Sequence, residues 1–419
     1  MTLTRPTLID DLRRHAFAPS GSGTRRVGAE VELIPVDAAT RRPASIHHTA
    51  ADTAPATLPV LERLSRCHGW TEVHSPKAGV PEFHTPDGGR ITFEPGGQIE
   101  FSAPPAASLT TLLDSLGRTV GLIRDALGNA GIDTLSVGVE PLNAIEDVPL
   151  QLSADRYRRM DAHFAHIGPH GARMMRQTAS IQLCVDNGPS PTERWRLLNA
   201  LTPYLVATFA NSAVYEGTPT GHQSTRRGIW GALDPARTGL PIGAPDVHVA
   251  EVYADFALGA ASLFAPNTEP PFPAFGARLR EGDLTLADWH THLTTLFPEV
   301  RPRGYFEVRS CDALPPAWYA APLVMVTGLV YGPDGGRSAM EIAGSPDPAL
   351  LARAGRCGVD DPQLAARSLQ LAELGIAECA QLGPAFASDE VLETATAYFQ
   401  RFTRRHRSPS HDVLTPALA

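Results

Sequence analysis

Hydrophobic and polar residues alternate strictly in four well-separated stretches of the chain. Val27-Gly-Ala-Glu-Val-Glu-Leu-Ile34 places Glu30 and Glu32 on one side and Val31 and Leu33 on the other. Ile91-Thr-Phe-Glu-Pro-Gly-Gly-Gln-Ile-Glu-Phe-Ser102 carries Glu94 before a Pro-Gly-Gly break. After the break, Gln98, Glu100 and Ser102 alternate with Ile99 and Phe101. Thr178 to Asp186 sets Ser180, Gln182 and Cys184 against Ile181, Leu183 and Val185. Gly304 to Ser310 sets Tyr305, Glu307 and Arg309 against Phe306 and Val308. Successive side chains of a strand point to opposite faces, so each stretch predicts a strand with one apolar and one polar face. For any one strand, a sheet with a solvated face is the simpler explanation of the pattern. Such a face also draws on lysine, however. These four carry Glu30, Glu32, Glu94, Glu100 and Glu307 and no lysine. A sheet lined with carboxylates suits a hard cation such as Mg²⁺.

The remaining periodicities predict helices. Residues 1–20 have a rough stripe of Leu8, Ile9, Leu12 and Phe17, and Leu61 and Leu64 belong to a short helix before Trp70. Leu109, Leu112, Leu113, Leu116, Val120 and Ile123 are spaced for a helix from Leu109 to Ala130. Tyr157 to Phe164, and Thr192 to Phe209 despite Pro203, also read as helical. Residues 350–382 and 388–405 form a helical tail, with Ser388 as an N-cap followed by Asp389 and Glu390. Residues 36–60, rich in Pro, Ala and Thr, read as loop, 70–103 as β structure with Gly and Pro turns, and Leu135 to Val139 as a strand. Strands and helices mix without a βαβ rhythm. The expected class is therefore α+β with a mainly antiparallel sheet, rather than a doubly wound fold. No repeat of fixed period is present.

Composition narrows the functional classes. The chain has 419 residues, enough for a large core, and a net charge of −9 from 45 acids and 36 bases. That is no electrostatic footprint for nucleic acid. The dense basic run at 401–407 suits a helix C-terminus. Five scattered cysteines without a C-x-x-C indicate neither a disulfide framework nor a zinc site, and fit a reducing cytoplasm. No apolar run approaches the ~20 residues of a membrane span. The first residues, with Asp10 and Asp11, do not read as a signal peptide. The chain lacks a G-x-x-x-x-G-K-[ST] loop and a dinucleotide fingerprint. His290-x-His292 and His47-His48 read as ordinary polar positions rather than metal ligands.

Several motifs resemble those of the plant-type glutamate–cysteine ligase family. Glu94-Pro-Gly-Gly-Gln-Ile-Glu100-Phe-Ser102 is similar to its E-P-G-G-Q-x-E-x-S signature, and Gly28-Ala-Glu30-Val-Glu32 to its G-x-E-x-E strand. Phe209-Ala-Asn-Ser212 with Glu216-Gly217, Ser224-Thr-Arg226-Arg-Gly-Ile-Trp230, and Arg237-Thr-Gly239 resemble further segments in order. So do His292-Leu-Thr-Thr-Leu-Phe-Pro-Glu-Val-Arg301 and Gly304-Tyr-Phe-Glu307-Val-Arg309. The matches cover about three-quarters of the chain, and Arg301-Pro-Arg-Gly-Tyr305 and Asp312-Ala313 look most like the bacterial branch that makes γ-glutamylcysteine for ergothioneine. Three places depart from the pattern, among them Arg309-Ser-Cys-Asp312, which is not the family's commonest version. Gln177, preceded by Arg176, stands where plant enzymes have an Arg, and Cys184 stands where the family usually has Asn.

The resemblance implies a glutamine-synthetase-like fold, a single catalytic domain over residues 1–419 with a helical part at about 345–407, and a sheet forming an active-site funnel. It implies ligation of L-glutamate to L-cysteine with ATP and Mg²⁺, and small-molecule substrates with neither nucleic acid nor membrane as partner. The residues themselves point the same way. Acids on strands suit Mg²⁺, and arginines suit phosphate and carboxylate. Glu30, Glu32, Glu94, Glu100 and Glu307 are the expected metal ligands. Arg309, on the same face as Glu307, is the first candidate for stabilising the transferred phosphoryl group, with Glu100 as the other expected catalytic residue. Gln98, Gln182, Arg226, Trp230 and Arg237 are implied as substrate or nucleotide contacts by the resemblance. A ligase with another amine acceptor, a silent nucleotide- or metal-binding relative, and a metal-dependent hydrolase remain alternatives on the residues alone.

Overall fold

All four alternating stretches form strands of one sheet. In the computed structural model, residues 3–21, 23, 25–48, 55–74, 79–264, 269–282 and 284–414 are described. Among them the sheet has nine strands: β1 (Val27–Asp37), β2 (Thr71–His74), β3 (Pro81–His84), β4 (Arg90–Phe93), β5 (Ile99–Ser102), β6 (Ile132–Leu135), β7 (Ser180–Asp186), β8 (Val300–Pro302) and β9 (Tyr305–Asp312). Their order is β8-β9-β7-β1-β5-β4-β3-β2, with β6 paired to the far end of β1. The strands pair antiparallel and the sheet stays open. This is the expected α+β class.

Register sets the polar face. Glu32 lies opposite Glu100, and Glu30 lies between Ser102 on β5 and Gln182 on β7. Glu307 lies opposite Cys184 on one side and Arg301 on the other. A β-bulge shifts the register between Val308 and Cys311. The opposite face carries Val31, Leu33, Phe101, Ile181, Leu183, Val185, Phe306 and Val308 into the main core. Helices Leu109–Gly128, Pro191–Thr208 and Ala320–Tyr331 pack there. Three helices on the polar side, Asp155–Ile167, His170–Gln177 and Thr225–Leu233, supply side chains to the cavity over the acids.

Local chemistry explains most helix boundaries. Ser108 and Ser388 accept from the backbone N–H three residues on, as N-caps do. Thr4 forms a capping box with Thr7 ahead of Arg5–His15. Pro203 sits inside Pro191–Thr208 and removes the hydrogen bond due to the Asn199 carbonyl. The Thr202 hydroxyl donates to that carbonyl at 2.9 Å, so the helix continues. The tail is broken into Pro348–Cys357 and Pro362–Gln381 by Gly358, at φ +55°, and by Asp361-Pro362.

Some boundaries differ from expectation. β1 runs to Asp37 and helix Thr57–His68 begins within the expected 36–60 loop, part of which (49–54) lies outside the described residues. The strand expected at Leu135 to Val139 is Ile132–Leu135, which pairs with Ile34–Asp37, while Val139 makes only a single bridge to Thr178. His290 and His292 lie in helix Leu286–Leu293.

Helix Ala320–Tyr331 is almost wholly buried and meets Pro362–Gln381 at two glycines. A Cβ on Gly328 would lie 1.9 Å from the Gly375 carbonyl oxygen, with no flexible side chain to yield. Gly328→Ala should therefore destabilise the fold by about 1–3 kcal/mol through overpacking. Urea denaturation would show the loss, and an unchanged midpoint would contradict this contact.

Candidate active site

The Glu94-Pro-Gly-Gly-Gln98 segment is a turn between β4 and β5, built by its own backbone. The Glu94 N–H donates to the Gln98 carbonyl and the Gly97 N–H to the Glu94 carbonyl, each at 2.8 Å. Gly97 has φ +91°, which favours glycine. Gly96 passes so close to the backbone of Arg176 that a Cβ would lie 2.1 Å from its carbonyl oxygen. The Gln98 side chain locks the turn: its carbonyl accepts from the Gly96 N–H at 3.0 Å, and its amide donates to the Thr178 carbonyl at 2.9 Å. Glu94 is thus held on a rigid turn, and Glu100 on the strand that follows.

Glu30, Glu32, Glu94 and Glu100 line one cavity of about 220 Å³. Burial raises the pKa of all four, and they repel one another. Glu30 is pushed up to about 8 by burial and by Glu100 and Glu307. Glu94 is raised well above the ordinary range by burial and by Glu100 and Glu32. Glu100 is raised by burial and Glu32. Glu32 is raised by burial, although it accepts from the Ser180 N–H at 2.7 Å and from the Gln182 amide at 2.9 Å. Among the described residues, no three Asp, Glu, His or Cys side chains form a ready-made metal cage.

The arginines face this acid wall from the β8–β9 side and from the covering helices. Glu307 is fully buried and bonded by Arg301 (Nε to Oε2 2.7 Å, Nη2 to Oε1 3.1 Å), Arg303 (3.1 Å) and Arg309 (2.9 Å). Burial would raise its pKa, but Arg301, Arg309 and Arg303 outweigh that and hold it well below the carboxylate range. Arg309 also donates to the Gln182 carbonyl oxygen at 2.7 Å. Arg226 lies over the Trp230 ring at 4.7 Å and donates to the Arg309 carbonyl at 2.9 Å. Asp312 backs it at 3.9 Å and accepts from Ser212, Ser224 and the Asn211 N–H. The Nε donors of Arg226 and Arg309 have no acceptor among the described residues.

A second cavity, of about 500 Å³, adjoins the first. Arg156, Arg301 and Arg303 line both. Beyond them its walls are Asp11, Leu12, His15, Ala16, His290, Leu293, Thr294 and Pro302.

Most of the expected site residues therefore meet. Glu30, Glu32, Glu94, Glu100, Gln98, Gln182, Arg226, Trp230 and Arg309 all line the smaller cavity. Three are placed differently from their expected roles. Glu307, expected as a metal ligand, has both oxygens occupied by arginines and does not line the cavity. Gln98 spends its amide on the turn. Arg237, expected to contact substrate, is fully buried and donates to Asp234, to the Thr295 carbonyl and hydroxyl, and to the Ala261 carbonyl. It ties helices together away from the cavity. Arg176, beside the departure at Gln177, pairs with Asp161, and Gln177 donates to the Asn143 carbonyl. Sequence reasoning missed Arg156, Tyr157 and Arg90, which line the cavity from a helix start and a strand edge. Their only signal was local, and arginine is common on surfaces.

The sheet is open and antiparallel, with acids and arginines facing a covered cavity. The chain shares its fold with the glutamate–cysteine ligase of Francisella tularensis solved in complex with AMP. The TM-score is 0.55 at 13% identity, over 93% of this chain and 84% of that one. This bears out the expected glutamine-synthetase-like architecture. Residues 26–378 match the family described as Glutamate-cysteine ligase family 2 (GCS2), and the chain belongs to it. It is 34% identical to the glutamate–cysteine ligase EgtA of Mycolicibacterium smegmatis over 84% of this chain and 83% of that protein. It is 38% identical to EgtA of Mycobacterium tuberculosis (strain H37Rv) over 58% of this chain, a match spanning 60% of that relative's length. No helix among the described residues is long and apolar enough to cross a membrane.

The acid cluster fixes a pH dependence for the metal-free protein. Glu30 holds its proton more tightly folded than unfolded. Its contribution is full below about 4.5, the unfolded value, and is lost as pH rises through about 8. Melting temperature without divalent cation should fall between pH 5 and 9, and Glu30→Gln should flatten the slope. A rising or unaltered slope in that variant would contradict the assignment.

Proposed function

We propose that the protein joins the γ-carboxylate of L-glutamate to the amine of L-cysteine using ATP. The products are γ-glutamylcysteine, ADP and phosphate, with γ-glutamyl phosphate between. The observation that carries this reading is the segregation of acids and arginines in one covered cavity. Four carboxyls without an arginine partner line it from the sheet and its turn, with arginines across from them. A carboxylate does not react with an amine in water until it is activated. Phosphoryl transfer meets that need and asks the protein mainly for positioning and charge neutralisation. Family membership supports the same chemistry.

The donor set suits Mg²⁺. Its ligands are hard oxygens, and burial raises the pKa of all four carboxyls in the absence of a cation. Mg²⁺ is usually bound by one or two carboxylates with substrate phosphates rather than by an all-protein cage, which fits the lack of a three-residue cluster among the described residues. Glu30, Glu32, Glu94 and Glu100 would hold it, and when bound it supplies charge neutralisation to the phosphates. Arg309 and Arg226, each with an unused Nε donor, stabilise the transferred phosphoryl group. Arg156, Arg301 and Arg303 stand between the cavities and take the remaining phosphates. Glu307 fixes the spacing of three of these arginines. The smaller cavity takes glutamate and the reacting groups. The larger, within the ~300–1,000 Å³ usual for ligand pockets, takes the nucleoside.

ADP release measured with glutamate and each amino acid in turn tests the acceptor, with cysteine expected to dominate. Release with another amine would redirect the assignment, and product formed without ATP would indicate a hydrolase run in reverse. Glutamate carrying ¹⁸O in its γ-carboxylate should deliver one labelled oxygen to phosphate. Unlabelled phosphate from a productive reaction would rule out the acyl phosphate. Arg309→Lys keeps the charge but loses the planar fork, and should lower kcat by about 10²–10³ with a smaller change in glutamate KM.

A further inference from the structure

The helix Arg5–His15 lies ahead of residue 26, where the family match begins, yet it forms a wall of the larger cavity. It is firmly anchored. Leu8 and Leu12 are in the core, and Arg5 and Arg13 pair with Asp255 and Glu251 at 2.8 Å. The Ala16 carbonyl accepts from the Gly304 N–H at 3.1 Å, in the turn between β8 and β9. The helix is thereby tied to the hairpin that carries Arg301 and Arg303.

Its inner face holds Asp11, only 3% exposed. This carboxylate accepts from the Trp289 indole N–H at 3.2 Å and faces His290 Nε2 at 3.1 Å from each oxygen, with His15 Nε2 at 3.7 Å. The His15 and His290 side chains stay 69% and 50% exposed at the cavity, their rings edge to face at 6.3 Å. The cavity is thus polarised: three arginines at its junction with the acid wall, two imidazoles and apolar carbons away from it. A nucleoside triphosphate has the same polarity, anionic at one end and planar and largely uncharged at the other. A free amino acid does not match. Its ammonium and carboxylate sit on one carbon, whereas the described residues lining this cavity offer three arginines and a single carboxylate, Asp11, which already accepts from Trp289 and faces His290.

We propose that the N-terminal helix completes the nucleotide site. His15 and His290 contact the ribose or base, and Asp11 is a positioning residue that orients His290. This rests on the ATP-dependent reading above. Calorimetry with Mg²⁺ and ADP on the full chain tests it without turnover. His15→Ala and His290→Ala should each weaken ADP binding about 5- to 20-fold. In turnover, both should raise KM for ATP while leaving KM for glutamate and the melting temperature within error. Asp11→Asn should weaken ADP binding in the presence of His290 and add little in the His290→Ala background, a coupling that general loss of structure would not produce. ADP binding by both histidine variants within twofold of the parent protein would overturn the inference and leave the ligase reading standing. A shift in glutamate KM alone would overturn it by making the cavity an amino-acid site. A parent protein that binds no ADP would overturn both.

Discussion

The structure depends on one electrostatic constraint: five glutamates gathered on one sheet face and its adjoining turn, of which one is neutralised. Glu307 is wrapped by Arg301, Arg303 and Arg309 and stays ionised. Glu30, Glu32, Glu94 and Glu100 have no such partners, and burial drives them toward the protonated form. Burying an unpaired charge costs several kcal/mol, so the fold carries this cluster at the expense of stability. A cation bound with substrate phosphates would relieve it. The protein is thus poised for ligands that bring positive and negative charge together.

Holding the constraint in place requires both sheet faces to be covered. The apolar face is closed by helices of the main core. The polar face is covered by helices that themselves deliver Arg156, Tyr157, Arg226 and Trp230 to the cavity. Close backbone approach makes this possible. Gly96 lets the acid-bearing turn touch helix His170–Gln177. The Asp312 network then fixes Arg226 from behind. Charge placement here is therefore a consequence of packing, and errors of a few tenths of an ångström at these glycines would move the acids relative to the arginines.

The two cavities divide the chemistry. The smaller has the acids and the donors left unused. The larger is bounded by imidazoles and aliphatic carbons, and the arginines stand between. A helix from outside the family match closes the second chamber, so relatives that differ in this segment would present a different wall to the same ligand.

The sequence by itself determined the strands and which of their faces is polar, because the period of two in Glu30-Val-Glu32 or Glu307-Val-Arg309 allows no other arrangement in an extended chain. It also determined that the Pro-Gly-Gly break is a turn, since Gly97 occupies a left-handed conformation. Alternation says nothing of partners, however. That Glu32 faces Glu100 and that Glu307 meets Arg301 follow from register, which is decided by pairing between strands, some as distant in sequence as β1 and β7. An arginine motif likewise could not reveal that Arg237 is consumed by Asp234, Thr295 and Ala261 while Arg156 reaches the cavity. A guanidinium's role is set by the acceptors that folding places around it. Only the tertiary structure joins the first helix to Arg301 and Arg303, because burial of Leu8 and Leu12 brings residues near the start of the chain against a hairpin almost 300 positions away.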